Sequence, residues 1–100
     1  MSLPSGAPLV FRLSPPWPNP ARSAAHWSYT LPEPGTVQID AFDLAGRHVA
    51  SIARDWQPAG EGEAEWDLHD EYGRHVAAGV YLVRAIVGGQ TSVKRLVVTF

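Results

Sequence analysis

Short alternating segments between prolines and glycines constrain the fold of this chain most strongly. Nine prolines and nine glycines are spread through the 100 residues. Within the stretch AHWSYTLP at 25–32, Trp27, Tyr29 and Leu31 alternate with polar side chains. A period of two is typical of a strand with one buried face, and no window shows a convincing helical period. The chain is therefore predicted to be all-β.

Seven strands are expected from this pattern, separated by turn signals such as DLAG, HDEYG and VGGQ. Their predicted ranges are 8–13, 25–31, 36–43, 48–54, 61–67, 79–87 and 90–99. Seven short strands without a helix indicate an antiparallel β-sandwich of the immunoglobulin or fibronectin type III-like class. The phase of the alternation places Trp27 and Trp66 in the core, together with Tyr81.

The length and charge of the chain limit the domain count and the partners. One hundred residues are the size of one domain, which we divide into a leader with the first strand at 1–14 and the sandwich at 15–100. A net charge of −2 without a run of either sign argues against nucleic acid or an anionic membrane as the main partner. No apolar run is long enough to span a bilayer, and the N-terminus lacks the regions of a signal peptide.

The pentapeptide GRHVA occurs twice, at 46–50 and at 73–77. Each copy follows an aspartate in the pattern D-x-x-G, with Asp43 before the first and Asp70 before the second. Aspartate at this place caps backbone N–H groups two residues on, and the glycine takes a positive φ. The repeat is therefore interpreted as the same turn used twice, with Arg and His facing solvent and the following valine facing the core.

The remaining polar residues offer little chemistry. The four histidines have no metal-ligand spacing and are expected to be exposed turn residues. The absence of cysteine excludes disulfides and cysteine-bound zinc. Asp43, Asp67 and Asp70 could supply oxygens to Ca²⁺, although they lack the dedicated loop pattern and turn capping is favoured. No G-x-S-x-G motif occurs, so we expect no enzyme activity and no cofactor.

Two tryptophans fall between the predicted strands. Trp17 and Trp56 lie in the proline-flanked stretches PPWPNP and DWQP. Exposed tryptophans bind sugars or protein partners, and they also cover the open ends of sandwiches. Covering is the favoured interpretation, and partner contact remains open for both residues.

An ordered series of motifs carries a resemblance to a known family. PNP at 18–20 is followed by G-x-V-x-I-x-x-F-D-x-x-G-R-x-V at 35–49 and by W-D-x-x-D-x-x-G-R-x-V-A-x-G-V-Y at 66–81. The series resembles the immunoglobulin-like C-terminal domain shared by flagellar hook-capping proteins and by proteins sorted through the type IX secretion system. The resemblance covers residues 15–100.

The resemblance implies a non-catalytic C-terminal module of a larger exported bacterial protein, secreted or held at the cell surface. Its partners would be secretion or cell-surface machinery and the upstream domains of its parent chain, whose signal peptide would lie outside this fragment. Lys94 and Arg95, within the predicted last strand, would contact a partner, and this strand could pair with a partner strand. The alternatives are a carbohydrate- or protein-binding accessory domain of a secreted enzyme or adhesin, and a structural domain of a hook-capping scaffold.

Overall fold

The chain folds into two antiparallel sheets packed face to face. The computed structural model describes residues 11–87 and 89–100. One sheet has the order β1-β2-β5 and the other the order β4-β3-β6-β7, which confirms the predicted all-β sandwich. The strands are β1 (Arg12–Leu13), β2 (Ala25–Leu31), β3 (Gly35–Asp43), β4 (His48–Gln57), β5 (Gly60–Trp66), β6 (Gly79–Val87) and β7 (Gln90–Val98).

Two strands differ from the predicted ranges by more than one residue at an end, and β3, β5 and β7 differ by one residue. β4 continues to Gln57 because its backbone remains paired with β3 as far as Gly35, so Trp56 lies in a strand, and the prediction of a loop there was wrong. β1 is only two residues long, since Pro15 and Pro16, close behind it, have no N–H to donate to a ladder. Residues 8–10 of the predicted first strand lie outside the described residues.

The core fills the space between the two sheets and contains the predicted aromatic residues. Trp27 is completely buried, and the rings of Trp66 and Tyr81 pack in a T-shaped arrangement with 5.7 Å between their centroids. The Tyr81 hydroxyl donates to the Ala77 carbonyl oxygen at 2.6 Å, which is the tyrosine corner of immunoglobulin-like sandwiches. Burial raises the pKa of Tyr81, and the nearby charge of Asp43 adds to the rise.

A close contact within the three-stranded sheet explains the glycine among the alternating residues of β5. A Cβ at Gly62 would collide with the ring of Tyr29, which crosses the strand at this point. Burial raises the pKa of Tyr29, as does the charge of Asp55. The other face of β5 carries three exposed glutamates, as the alternation predicted: Glu61, Glu63 and Glu65.

A proline-rich segment covers part of the free edge of β7. Asn19 Nδ2 donates to the Arg95 carbonyl oxygen at 3.2 Å, and the Val97 N–H donates to Asn19 Oδ1 at 2.9 Å. The backbone of Ala21 then exchanges hydrogen bonds with Val97 and Thr99. The side-chain amide of the PNP motif therefore replaces one peptide group of a neighbouring strand, and it closes the C-terminal half of this edge.

Candidate functional site

The first GRHVA copy follows a tightly bonded turn. Asp43 Oδ1 accepts the N–H groups of Ala45 and Arg47, both at 2.9 Å, and Asp43 Oδ2 accepts Arg47 Nε at 2.9 Å. The Gly46 N–H donates to the Asp43 carbonyl, and Gly46 has a φ of 84°. The predicted cap and positive φ are both confirmed, in a three-residue loop of a common hairpin type.

The second copy repeats this turn atom for atom. Asp70 Oδ1 accepts the N–H groups of Tyr72 and Arg74 at 2.8 and 3.0 Å, and Asp70 Oδ2 accepts Arg74 Nε at 3.2 Å. Gly73 has a φ of 79°. The backbone hydrogen bond from the following arginine is the main cause that lowers the carboxyl pKa at both aspartates.

The two turns lie side by side at one end of the sandwich. A cleft of about 490 Å³ separates them and is lined by both aspartates and both arginines of the repeats. Glu71 bridges the turns, because its N–H donates to the Val49 carbonyl at 3.2 Å and its Oε1 lies 2.8 Å from His48 Nδ1. The repeat thus brings together two sequence segments that are 27 residues apart.

The rings of the two repeat histidines have different surroundings. His48 Nε2 lies 2.9 Å from Asp40 Oδ1, so that carboxylates face both ring nitrogens, and only the imidazolium can donate to both at once. His75 instead places its ring nitrogens beside the carbonyls of Val76 and Arg22. The prediction of exposed turn histidines missed the contacts of His48, whose side chain is 33% exposed.

Asp40 is buried on the outer face of the four-stranded sheet, where the alternation predicted a polar residue but not its burial. Its neighbours Ile39 and Ala41 are in the core, so its own side chain points outward, yet Asp40 is only 1% exposed. The side chains above it are those of His48 and of two arginines, Arg54 Nη2 at 3.9 Å and Arg84 Nη2 at 4.0 Å.

Hydrogen bonds keep this covered carboxylate ionised. Burial alone would raise the pKa of Asp40, but donors from His48, Gln38 and Ser51 outweigh it and lower the pKa. One of the two irregularities in the β3–β4 pairing makes this possible, the bulge at Val49. His48 and Ser51 are three residues apart and would face opposite sides of a regular strand, whereas this bulge directs both to the outer face.

A polar cluster is formed by Asp40, His48, Ser51 and Glu71. It contains the residue types of a Ser-His-Asp triad, but its contacts differ from those of the triad. Ser51 Oγ lies 3.4 Å from His48 Nε2, and Glu71 lies at the other ring nitrogen. Asp40 is nearer to Nε2 and also accepts the hydroxyl of Ser51 at 3.2 Å. In this arrangement the Ser51 hydroxyl donates its hydrogen bond to Asp40, and the polar contacts of these side chains join β3, β4 and the Glu71 turn.

Each of the three aspartates considered as a calcium ligand accepts hydrogen bonds from its own neighbouring residues. The oxygens of Asp43 and Asp70 are bonded within their own turns, and Asp67 Oδ1 accepts the His69 N–H at 3.0 Å. The described part of the chain contains no group of three or more histidine, aspartate or glutamate side chains arranged to hold a metal ion. Calcium binding by these three residues stays the less favoured hypothesis, and no metal at this position stays the prediction.

The four predicted partner contacts do not form one surface. Trp56, 64% exposed, and Arg95 lie on the outer face of the four-stranded sheet. Trp17 is 45% exposed and packs on His26, on the outer face of the other sheet, with 5.8 Å between ring centroids. Lys94 lies two residues before the buried Leu96, so it points to the same inner face of the sheet.

No helix in the described ranges has the length and apolar character required to cross a membrane.

Comparisons with known proteins connect the fold to a family. The chain is similar to dimeric latent PorU from Porphyromonas gingivalis, with 25% identity and a TM-score of 0.74 over 97% of this chain and 10% of that chain. It also resembles PorZ, an essential surface component of the type IX secretion system of the same organism, with 20% identity and a TM-score of 0.58 over 90% of this chain and 11% of that chain. The chain thus spans about a tenth of the length of either protein.

A third solved structure shares the fold. FlgD from P. aeruginosa is 22% identical, with a TM-score of 0.56 over 91% of this chain and 77% of that chain. A search of curated protein sequences finds no match. The family model described as "secretion system C-terminal sorting domain" matches residues 16–99, which include PNP and both GRHVA turns. The chain belongs to the family of secretion system C-terminal sorting domains.

Proposed function

We propose that this chain is the C-terminal sorting module of a larger bacterial protein, which it directs through the type IX secretion system to the cell surface or the medium. The observation that carries the proposal is the family match over residues 16–99. The parent would cross the inner membrane on a signal peptide of its own, in a segment upstream of this domain. Sorting domains are non-catalytic in general, and we propose the same for this chain.

The last strand is one place where the machinery could contact the domain. Val97 directs its N–H and C=O away from β6, toward Asn19 and Ala21. Val93 has the same phase, and the described residues supply no backbone partner to its N–H or C=O. The segment around Val93 is therefore the part of this edge to which a partner strand could add.

A binding role for the exposed tryptophans is the second candidate. Trp17 and Trp56 are 45% and 64% exposed, which favours contact with a sugar ring or a protein. They lie on the outer faces of different sheets, so each would act alone. A tryptophan fluorescence titration with a broad glycan panel tests this candidate, and a flat response across the panel would contradict it.

The sorting function is tested with a secreted reporter. The whole chain is fused to the C-terminus of a reporter that carries a signal peptide, in a host with type IX secretion. The reporter is then measured in the periplasm, on the surface and in the medium. We expect export only when both the domain and the machinery are present, with the reporter lacking the domain and a host lacking the machinery as controls. Retention of the fusion in the periplasm would contradict the proposal.

A further inference from the structure

The outer face of the four-stranded sheet is unusually apolar for a solvated surface. Antiparallel strands with one face in water normally alternate between apolar and polar residues. β6 breaks this rule, because its outward positions include the aliphatic residues Val80, Leu82 and Ile86. On the neighbouring strand β7, Val93 is 52% exposed.

Register places these apolar side chains among arginines. One row across the sheet contains Phe42, Leu82 and Arg95, and the next row contains Arg84 and Val93 beside Asp40. The guanidinium of Arg84 lies over the Phe42 ring, 4.7 Å from its centroid. This stacking keeps a charged group at the centre of the apolar area.

The exposed charged side chains that the four strands direct to this face are arginines, and Glu71 lies at its edge beside His48. Arg54, Arg84 and Arg95 are all accessible, with Arg54 at 64% and Arg84 at 38% side-chain exposure. Asp40 is the carboxylate that these four strands direct to this face, and it is covered. The opposite side of the sandwich carries the exposed glutamates of β5. The molecule therefore has a basic apolar face and an acidic face.

We propose that the basic apolar face, formed by Phe42, Leu82, Val93, Arg54, Arg84 and Arg95, docks a protein that presents an apolar patch flanked by carboxylates. The inference rests on the proposed function, and the partner is a protein of the secretion machinery. Arginine and aromatic side chains around apolar contacts are typical of the centre of protein interfaces. A net charge of −2 and the glutamates on the far side disfavour a polyanion such as DNA.

Site-specific photocrosslinking tests which face is contacted. A photoreactive amino acid is placed at position 93 of the exported reporter fusion and, as the matched control, at position 63 on the acidic face. Both positions are exposed on strands and can accept a large side chain. We expect a crosslink to a secretion component from position 93 and none from position 63. Equal crosslinking from both positions, or crosslinking from position 63 alone, would overturn the proposal.

Charge changes on the face test the chemistry of the partner. Val93→Glu and Arg95→Glu are expected to reduce the exported fraction about tenfold, as loss of one central contact does, while the thermal midpoint stays unchanged. Glu63→Lys is the control and is expected to be exported normally. A suppressor that replaces a carboxylate of the partner by lysine would support the assignment.

The outcomes separate this inference from the proposed function. If the wild-type fusion is not exported, the sorting function itself fails. If it is exported and Val93→Glu and Arg95→Glu are exported equally well, the docking face is wrong and the sorting function stands. Binding to phosphatidylglycerol vesicles or to duplex DNA that Arg95→Glu abolishes would replace the protein partner by a polyanion and overturn the proposal.

Discussion

The two GRHVA copies begin in turns of the same conformation, but the segments that follow these turns have different structures. In each turn the same aspartate oxygens accept the same backbone and guanidinium groups. Beyond the arginine, the first copy continues into β4, whereas the second leads to an isolated bridge between His69 and His75 before β6. Turn chemistry is therefore local, and the role of the next residues depends on the strand that receives them.

The valines of the two copies make this difference clear. Val76 is 6% exposed and belongs to the core. Val49 is only half-buried, because it is the extra residue of the β-bulge between the pairs Ala41–Ala50 and Phe42–His48. The prediction that both valines face the core is confirmed for Val76, and at Val49 the bulge leaves the side chain at the edge of the core.

The largest difference between the copies is expected from truncation of these valines. Val76→Ala should lower the free energy of unfolding by about 2 kcal/mol, since it removes two buried methyl groups from a packed site. Val49→Ala should cost less than about 1 kcal/mol, because its side chain is already partly in water. Urea unfolding measures both values, and equal costs would contradict the assignment of Val49 to a bulge.

Replacement of the turn glycine is expected to lower the free energy of unfolding by the same amount in both turns. Gly46→Ala and Gly73→Ala should each cost about 1 kcal/mol, since both glycines have positive φ and neither added Cβ meets another atom. The two variants are compared by urea unfolding under one set of conditions, with Ala45→Gly as a control for general loop effects. Costs that differ by more than about 0.5 kcal/mol would show that the turns are not equivalent.

Glu71 contacts the histidine of the first copy, His48. Its contribution to stability should therefore depend on His48 and not on His75. A double-mutant cycle of His48→Gln and Glu71→Gln should give about 0.5 kcal/mol of interaction energy, because both side chains are partly exposed. The same cycle with His75→Gln in place of His48→Gln should give none. Coupling of Glu71 to both histidines, or to neither, would remove the distinction between the copies.

Acid should weaken the two turns alike. Each aspartate has its pKa lowered from an ordinary value of 3.8, so its contribution is present above that value and is lost as pH falls through the lower folded value. Stability should therefore fall below about pH 4, and Asp43→Asn and Asp70→Asn should each flatten the decline. Thermal melts from pH 2 to pH 6 measure this, and a decline that neither substitution alters would rule out the turns as its source.

The smallest effect is expected from calcium. The carboxylates of Asp43 and Asp70 would have to leave their turn hydrogen bonds to bind a cation. We therefore expect the same thermal midpoint with added calcium and with chelator. A higher midpoint with calcium that Asp67→Asn abolishes would instead establish a metal site that includes Asp67, just before the second turn.

Local patterns predicted the turns and most strands, and long-range packing produced the rest. The bounds of β6 match because an apolar β-branched run begins at a glycine and ends before the hairpin glycines. The cap at Asp43 was predictable since its partners lie two to four residues away. The contacts of His48 depend on the β-bulge at Val49 and on Glu71, which is 23 residues further along the chain, and no local spacing encodes them.

The amide of Asn19 has a consequence for the chemical lifetime of the domain. Its role at the edge of β7 needs a donor and an acceptor together, so conversion to aspartate would remove the donor to Arg95 and place a charge there. Deamidation normally starts when the backbone nitrogen of the next residue attacks the side-chain carbonyl. That residue is Pro20, whose nitrogen has no hydrogen and cannot form the cyclic imide. The second proline of PNP therefore blocks the usual deamidation route at the one asparagine of the chain, and the amide that closes the edge of β7 is preserved.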